Sequence, residues 1–498
     1  MKKLYILSFA ALLLFGTGGC KKDFLEVQPT AFLTAEQIQE ASVHNPAVVA
    51  GSIAGIYTLM FETGTGGTTG HDDFGQKGYD IYSDFLCGDL ALSTSTYGWY
   101  RTITQFQTTQ DFTYQDNYQV WRYYYRIIRS ANSVIDALGG NDFTPETVVN
   151  QELMGQALTM RAYGYYYLAQ FFQNAYDPAE EILPIYTDPV QPNQPKSSAA
   201  DVYALIIKDL TQAVTLLDTY TRPTKTEVNK YVAEGLLAYT YGAMGNYAAC
   251  KTTSADIINN GGFTLMNADE VVYSSDGDPV GGFNDINIIS GWMWGVDLTS
   301  DNGLDLVSWW GQMDRYTYSY QWAGDIKTLD EGLYDAIPDN DVRKGQFYPD
   351  PASSYYLAPL YKFYDPARII GGQRTVTTDY WYMRVAEFYL LHAEAAANSG
   401  DEAAAKTSLK FLLDQRLDDT SYVDALSGQA LIDEIYLQTR IELFAEGKSY
   451  LAMKRNKATI VRGANHLSNV GVAIPYNDTR LTFEIPQSEI QNNPYINN

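Results

Sequence analysis

Apolar residues recur every three or four positions between Tyr118 and Leu138. Val120, Tyr124, Ile127, Ala131, Val134 and Leu138 share one helical face, and Gly139-Gly140 stops the run. A first helix is expected over Ala35 to Met60. Another is expected over Gln151 to Phe172, ending before Pro178. Ser198-x-x-Asp201 is a capping signature, followed by Val202, Leu205, Ile206, Leu210, Ala213 and Leu217 on one face. Two helical hairpins then repeat at a distance. One spans 229–244 and 248–259 about Gly245-Asn246-Tyr247. The other spans Met383 to Asn398 and Glu402 to Arg416 about Gly400-Asp401. Ala238, Gly245-Asn246 and Ala249 match Ala393, Gly400-Asp401 and Ala404 offset for offset. Alanine suits a close helix crossing, and a Gly-polar pair turns the chain sharply, so the pair reads as tetratricopeptide-like. The fold class is therefore mainly α: a helical-repeat scaffold over about 118–260 and 382–455.

Two stretches break the pattern. Residues 61–117 carry Gly64, Gly66, Gly67 and Gly70 and no clear period. Residues 261–380 hold five of the eight tryptophans among Gly, Asp and Ser. Loops this long inside a compact chain are generally functional, so both read as irregular, loop-rich ligand-binding inserts. The N-terminus has its own grammar. Lys2 and Lys3 precede an apolar run, Leu4 to Phe15, too short to span a bilayer, and then Thr17-Gly18-Gly19-Cys20. Small residues before a cysteine suit a lipoprotein signal peptidase. Residues 1–19 are thus an expected signal peptide, Cys20 the lipidated first residue, and 20–498 the mature domain.

The formal charge is −25, which argues against nucleic acid and polyanionic ligands. Beyond Cys20 only Cys87 and Cys250 remain, too few for a disulfide framework or a zinc site, and either a pair or two buried thiols would fit. The four histidines (His44, His71, His392 and His466) lack metal-ligand spacing, and His392 reads as packed. Asp276-Gly277-Asp278 with Asn284 and Asp285 could gather oxygens around calcium or form a polar turn. Gly447-Lys448-Ser449 ends like a phosphate loop, but Glu442 stands where that loop needs glycine. Arg384, Glu387, Arg440, Glu442 and Glu446 read as ion pairs that pin repeat helices rather than as acid–base catalysts.

Several blocks resemble the SusD/RagB family of Bacteroidetes surface lipoproteins. Arg440 to Arg455 is similar to its R-x-x-E-x-x-x-E-G-x-R block, with Lys448 where arginine is usual. Ile485-Pro486, Glu489-Ile490 and Asn493-Pro494 resemble its terminus. Arg384 to Ala395 resembles its R-x-A-E-x-x-L-L-x-A-E-A helix, Arg161 to Phe172 its R-A-x-x-Y-x-x-L helix, and Cys20 to Leu25 its lipidated start. The resemblance implies an outer-membrane, lipid-anchored, cell-surface protein that is not an enzyme. It implies capture of an oligosaccharide, or of peptides in some members, and its delivery to a SusC-type TonB-dependent transporter.

The chain holds 41 tyrosines, and aromatics make up 14%, more than a core needs. A sugar ring offers an apolar face to a flat aromatic and hydroxyls to Asp, Asn, Gln or Arg. The expected ligand-binding residues are Asp80, Tyr97, Trp99 and Tyr100 in one insert, and Trp292, Trp294, Trp309, Trp310, Tyr320 and Trp322 in the other. Trp292-Met293-Trp294 would place both indoles on one side of a strand. Trp121 and Trp381 read as core. No catalytic residue, metal or cofactor is expected. The alternatives are a peptide-binding RagB-like lipoprotein, a helical-toroid glycosidase, which would need two opposed carboxylates, and a tetratricopeptide adaptor for a protein partner.

Overall fold

The structure, a computed structural model, describes residues 46–274, 281–315, 318–372 and 375–496. Cys20, the signal segment, residues 35–45 of the expected first helix, and Asp276-Gly277-Asp278 lie outside the described residues. The long helices are α1 (Pro46–Leu59), α2 (Gln76–Cys87), α3 (Gln115–Ala137), α4 (Val148–Phe172), α5 (Ala199–Leu216), α6 (Lys230–Ala243), α7 (Tyr247–Asn260), α8 (Val385–Asn398), α9 (Glu402–Leu413), α10 (Gln429–Glu442) and α11 (Ser449–Arg455). Short antiparallel ribbons join distant stretches. β1 (Leu90–Leu92) pairs with β5 (Lys327–Leu329), β2 (Glu181–Pro184) with β3 (Lys196–Ser198), β4 (Trp292–Val296) with β6 (Tyr380–Arg384), and β7 (Thr459–Val461) with β8 (Ala473–Pro475). No described helix is long and apolar enough to cross a membrane.

The repeat is real in three dimensions. From α3 to α7 each helix packs on the next, and α7 then packs on α8 across the intervening 261–384. The two hairpins, α6–α7 and α8–α9, are therefore neighbours in one stack, the arrangement of a helical solenoid. Both turns use the same device. Gly245 and Gly400 adopt left-handed backbone (φ 71° and 82°), and the next residue, Asn246 or Asp401, caps the following helix by accepting a backbone N–H from Ala249 or Ala404. The Ser198 hydroxyl caps α5 as its sequence signature requires, accepting the Asp201 N–H at 3.1 Å.

Helix α2 went unread although its pattern is helical: Gln76, Lys77, Asp80, Ser83 and Asp84 share one face and Tyr79, Tyr82, Phe85 and Leu86 the other, yet all twelve residues are buried, so the polar face meets protein rather than water. It runs through the 61–117 insert as a core element. C-terminal residues close over it. Arg440 pairs with Asp89, which follows α2, at 2.6 Å, the Gly447 N–H donates to Asp84 at 3.0 Å, and Arg462 donates to the Phe85 carbonyl at 3.0 Å.

The Arg–Glu pattern near the C-terminus forms buried ion pairs, but between elements rather than along one helix. Glu442 accepts from Arg343, Arg384 and Arg416. Glu446 accepts from Arg384, Lys362 and the Trp381 indole. These guanidinium and ammonium groups hold both carboxyls below the ordinary range against the opposing effect of burial, Glu446 at about 2. Cys87 and Cys250 are buried, free thiols.

Candidate functional site

The β1–β5 ribbon brings the two inserts together. Past its ends the pairing continues, with Ser93 donating to the Ile326 carbonyl and Thr96 to the Gly324 carbonyl. The buried Asp325 carboxylate then receives the backbone N–H groups of Tyr97 (2.8 Å) and Trp99 (3.2 Å). One insert thereby fixes the aromatic loop of the other. Tyr97 and Trp99 meet Tyr320 at ring-centroid distances of 5.7 and 5.8 Å. His71 stacks on Trp99 at 5.0 Å with rings nearly parallel, and its Nδ1 lies 2.6 Å from the Tyr320 hydroxyl. Trp322 follows two residues after Tyr320 on the short helix Tyr320–Ala323, its ring tilted 47° to that of Tyr318 at 6.3 Å. Tyr97, Tyr318 and Trp322 are 62%, 51% and 38% exposed, and Trp99 is half-buried. Ile369 and Ile370 are exposed just before Gly371, which packs against the Trp322 indole. The result is an apolar, ring-rich surface with rigid backing.

The backing is polar and buried. Lys327 donates to Gln312 (3.1 Å) and to the Asp325 carbonyl (3.0 Å), and Gln312 donates to the His71 carbonyl (2.9 Å). Burial pulls the Lys327 ammonium down to about 7, with Asp325 opposing. Beside His71, the Tyr82 hydroxyl lies within hydrogen-bond reach of both Asp72 and Asp116 (2.8 Å to Asp116), its one proton serving either carboxylate. Burial first, then the Asp116 charge, pushes the Asp72 carboxyl up to about 7.

Of the ten residues expected at the site, Tyr97, Trp99 and Tyr320 meet here, Tyr320 itself buried, and Trp322 stands two residues along the same short helix. The other six are corrected by the structure. Trp292, Trp309 and Trp310 are 0% exposed and Trp294 is 1% exposed. Tyr100 is buried against Tyr82 and Phe85. Asp80 is buried, paired with Lys77 at 3.1 Å. The reason is that the rings partner one another. Trp381 contacts Trp292 (5.3 Å), Trp309 (5.0 Å) and Phe363 (5.4 Å), and the Lys77 ammonium sits 4.1 Å over its face. An insert poor in aliphatics builds its core from aromatics and cations instead. Trp292 and Trp294 do not share a side. A bulge in the β4–β6 pairing lies between them, and they reach the neighbouring residues Trp381 and Tyr382, whose side chains alternate across β6. Trp121 and Trp381 are core, as read from the sequence.

His71 and Tyr318 belong to the cluster and went unread. His71 follows a glycine-rich run with no period, and only the fold brings it to Trp99. Tyr318 carried a signal, since Tyr318, Tyr320 and Trp322 alternate along the chain. Among the described residues no group of three or more His, Cys, Asp or Glu side chains could hold a metal.

Comparison with known proteins agrees with this architecture. Residues 74–241 match a SusD-like family described as starch-binding and associating with the outer membrane, and residues 344–498 match the SusD family. The SusD-like protein P25 of Formosa agariphila is 22% identical over 259 residues, 51% of this chain and 46% of that protein, so the match spans less than half of that relative's length. A SusD-like carbohydrate binding protein from Bacteroides vulgatus superposes with a TM-score of 0.73 at 25% identity, covering 90% of this chain and 96% of that one. A SusD superfamily protein from Bacteroides thetaiotaomicron superposes with a TM-score of 0.71 at 24% identity, covering 93% and 99%. With two family matches on either side of the tryptophan-rich insert, the stacked hairpins, and the same fold in these relatives, the chain belongs to the SusD/RagB family.

Proposed function

We propose that this protein is a cell-surface glycan-binding lipoprotein that captures an oligosaccharide and hands it to a SusC-type TonB-dependent transporter. The observation that carries the binding half is the exposed cluster of Tyr97, Trp99, Tyr318 and Trp322 around His71 and Tyr320. Exposed rings held by a buried carboxylate are preorganised, so a ligand need not order them on binding. They suit the flat apolar face of a neutral or weakly charged sugar. The role is binding without turnover. Relatives described as starch-binding or carbohydrate binding support the ligand class. Membership of the family supports outer-membrane anchoring through Cys20 and delivery to the transporter.

The test is a glycan and peptide binding screen with the purified protein, repeated with Trp99→Ala and Trp322→Ala. Binding of neutral oligosaccharides that weakens in both variants supports the proposal. Binding of peptides alone, or turnover of a bound glycan, refutes it. Cys20→Ala should leave the protein uncleaved or released from membranes, and wild-type fractionation of that variant would refute the anchor. A tagged protein that captures no large outer-membrane partner in mild detergent would refute the delivery step.

A further inference from the structure

One face of α3 carries a charge pattern at odds with the rest of this acidic chain. Arg122, Arg126 and Arg129 recur at helical spacing and share one stripe. They line a groove of about 790 Å³ between α3, the 186–193 loop and the C-terminal helix Gln487–Asn492. Among the described residues none of the three forms an ion pair, although acidic residues outnumber basic ones 59 to 34. Arg126 and Arg129 are exposed and Arg122 is half-buried.

The groove is preformed. Tyr125, in its wall, donates to the Pro184 carbonyl at 2.8 Å. Asn132 donates to the Tyr186 carbonyl at 2.9 Å, and Asn193 ties the loop to the Asn492 carbonyl at 2.8 Å. Its size falls within the range of small-ligand sites rather than flat protein interfaces. Tyr118, Tyr125 and Tyr186 offer ring surface, and Glu489 and Asp188 bring carboxylates to the groove as well.

We infer that this groove is a second saccharide site, selective for sugars that carry a carboxylate or sulfate group. Guanidinium forks match an oxyanion two bonds at a time. Tyrosine rings cover a sugar face, and Glu489 and Asp188 accept from hydroxyls. A bare polyanion, such as an acidic peptide, satisfies the arginines but is repelled by the two carboxylates. A neutral sugar gives the three guanidinium groups no counter-charge, Arg126 having only the Thr65 carbonyl at 3.4 Å as a hydrogen-bond partner among the described residues. A ligand with both hydroxyls and one anionic group per unit answers every feature. The net charge of the chain does not forbid it, because fields are screened beyond about 8 Å at physiological salt. The site shares no residue with the aromatic cluster and does not rest on the function proposed for it.

The experiment is isothermal titration of the full chain in mild detergent with four probes. These are tetragalacturonate, its fully methyl-esterified form, a sulfated carrageenan tetrasaccharide and hexaglutamate. We expect one or both charged saccharides to bind, to weaken as salt is raised, and to lose at least about tenfold in affinity in Arg126→Gln/Arg129→Gln, which removes charged hydrogen bonds. Both arginines are exposed, so the thermal midpoint should hold, and Trp99→Ala should leave this affinity unchanged. Which of the two saccharides binds identifies carboxylate or sulfate as the recognised group. The inference is overturned if neither binds, if the methyl ester binds as tightly as the acid, if hexaglutamate matches the saccharides, if the double variant is unaffected, or if Trp99→Ala abolishes the binding.

Discussion

Replacing Glu446 by Gln should cost this protein about 3 kcal/mol at neutral pH, and the cost should shrink in acid. The carboxylate is buried, and its oxygens accept from Arg384 (2.7 and 2.9 Å), Lys362 (2.8 Å) and the Trp381 indole (3.0 Å). A carboxamide turns one of those acceptors into a donor facing two cations. Linkage gives the magnitude. The cations hold the carboxyl at about 2, against an ordinary value of 4.5. At about 1.4 kcal/mol per pH unit that difference is roughly 3 kcal/mol, within reach of the ~3–5 kcal/mol typical of breaking a buried ion pair. Because the folded-state pKa is depressed, this stabilisation is fully present above pH ~4.5 and disappears as pH falls through about 2. At pH 3 the variant should therefore trail the wild type by only about 1.5 kcal/mol. With an unfolding entropy of about 2.1 cal/mol/K per residue, a 498-residue chain changes Tm by about 1 °C per kcal/mol, so a drop of about 3 °C is expected at pH 7. Urea denaturation followed by tryptophan fluorescence at pH 7, 5 and 3 is the assay. A deficit below about 1 kcal/mol at pH 7, or one that stays constant down to pH 3, would refute the reasoning.

Three further outcomes are expected. Trp309→Ala, which empties a fully buried site, should cost about 3–5 kcal/mol in denaturant titrations, whereas Trp99→Ala should weaken glycan binding three- to tenfold or so and shift Tm much less; equal destabilisation by the two would contradict the core and surface assignments. Asp325→Ala, which touches no exposed ring, should weaken binding at least as much as Trp99→Ala and strip hydrogen-exchange protection from the Tyr97 and Trp99 amides, and retained protection there would exclude Asp325 as the positioning group. Asp72→Asn should match wild-type stability near pH 4 and exceed it by pH 8, because a carboxyl raised to about 7 by burial favours the fold only while protonated; a gap that narrows with rising pH would reverse that sign.

The sequence was readable where a local rule acts alone. Gly245-Asn246 and Gly400-Asp401 each need one positive φ and one cap, and both are encoded within three residues. The alternation of burial along α3 is likewise local. It misleads where a polar face is buried, as in α2, whose Gln76, Lys77, Asp80 and Asp84 share one helical face that the pattern alone would turn to water. The tryptophans failed for a related reason. Composition shows that many rings are present but not that Trp309, Trp381, Phe363 and Phe283 satisfy one another. Trp99 and Trp309 carry the same local signal, and only long-range pairing decides which faces water. The partners of Glu442, from Arg343, Arg384 and Arg416, lie far apart along the chain, so spacing along a single helix could not name them.

The enclosure of α2 has a kinetic side. Its helix is complete by Cys87 and Tyr124, Tyr163 and Gln119 bond its first turns, yet the partners of its last turn, Asp84 and Phe85, and of Asp89 just beyond it belong to Gly447, Arg462 and Arg440. A chain emerging N-terminus first holds this helix for more than 350 residues before its lid exists. Closing so long a loop costs entropy that the early contacts of α2 only partly offset, which makes folding slow and concerted. Any truncation before Arg440 should leave not a smaller domain but an unfolded chain. The same delay keeps the nascent protein threadable until about its last eighth is made.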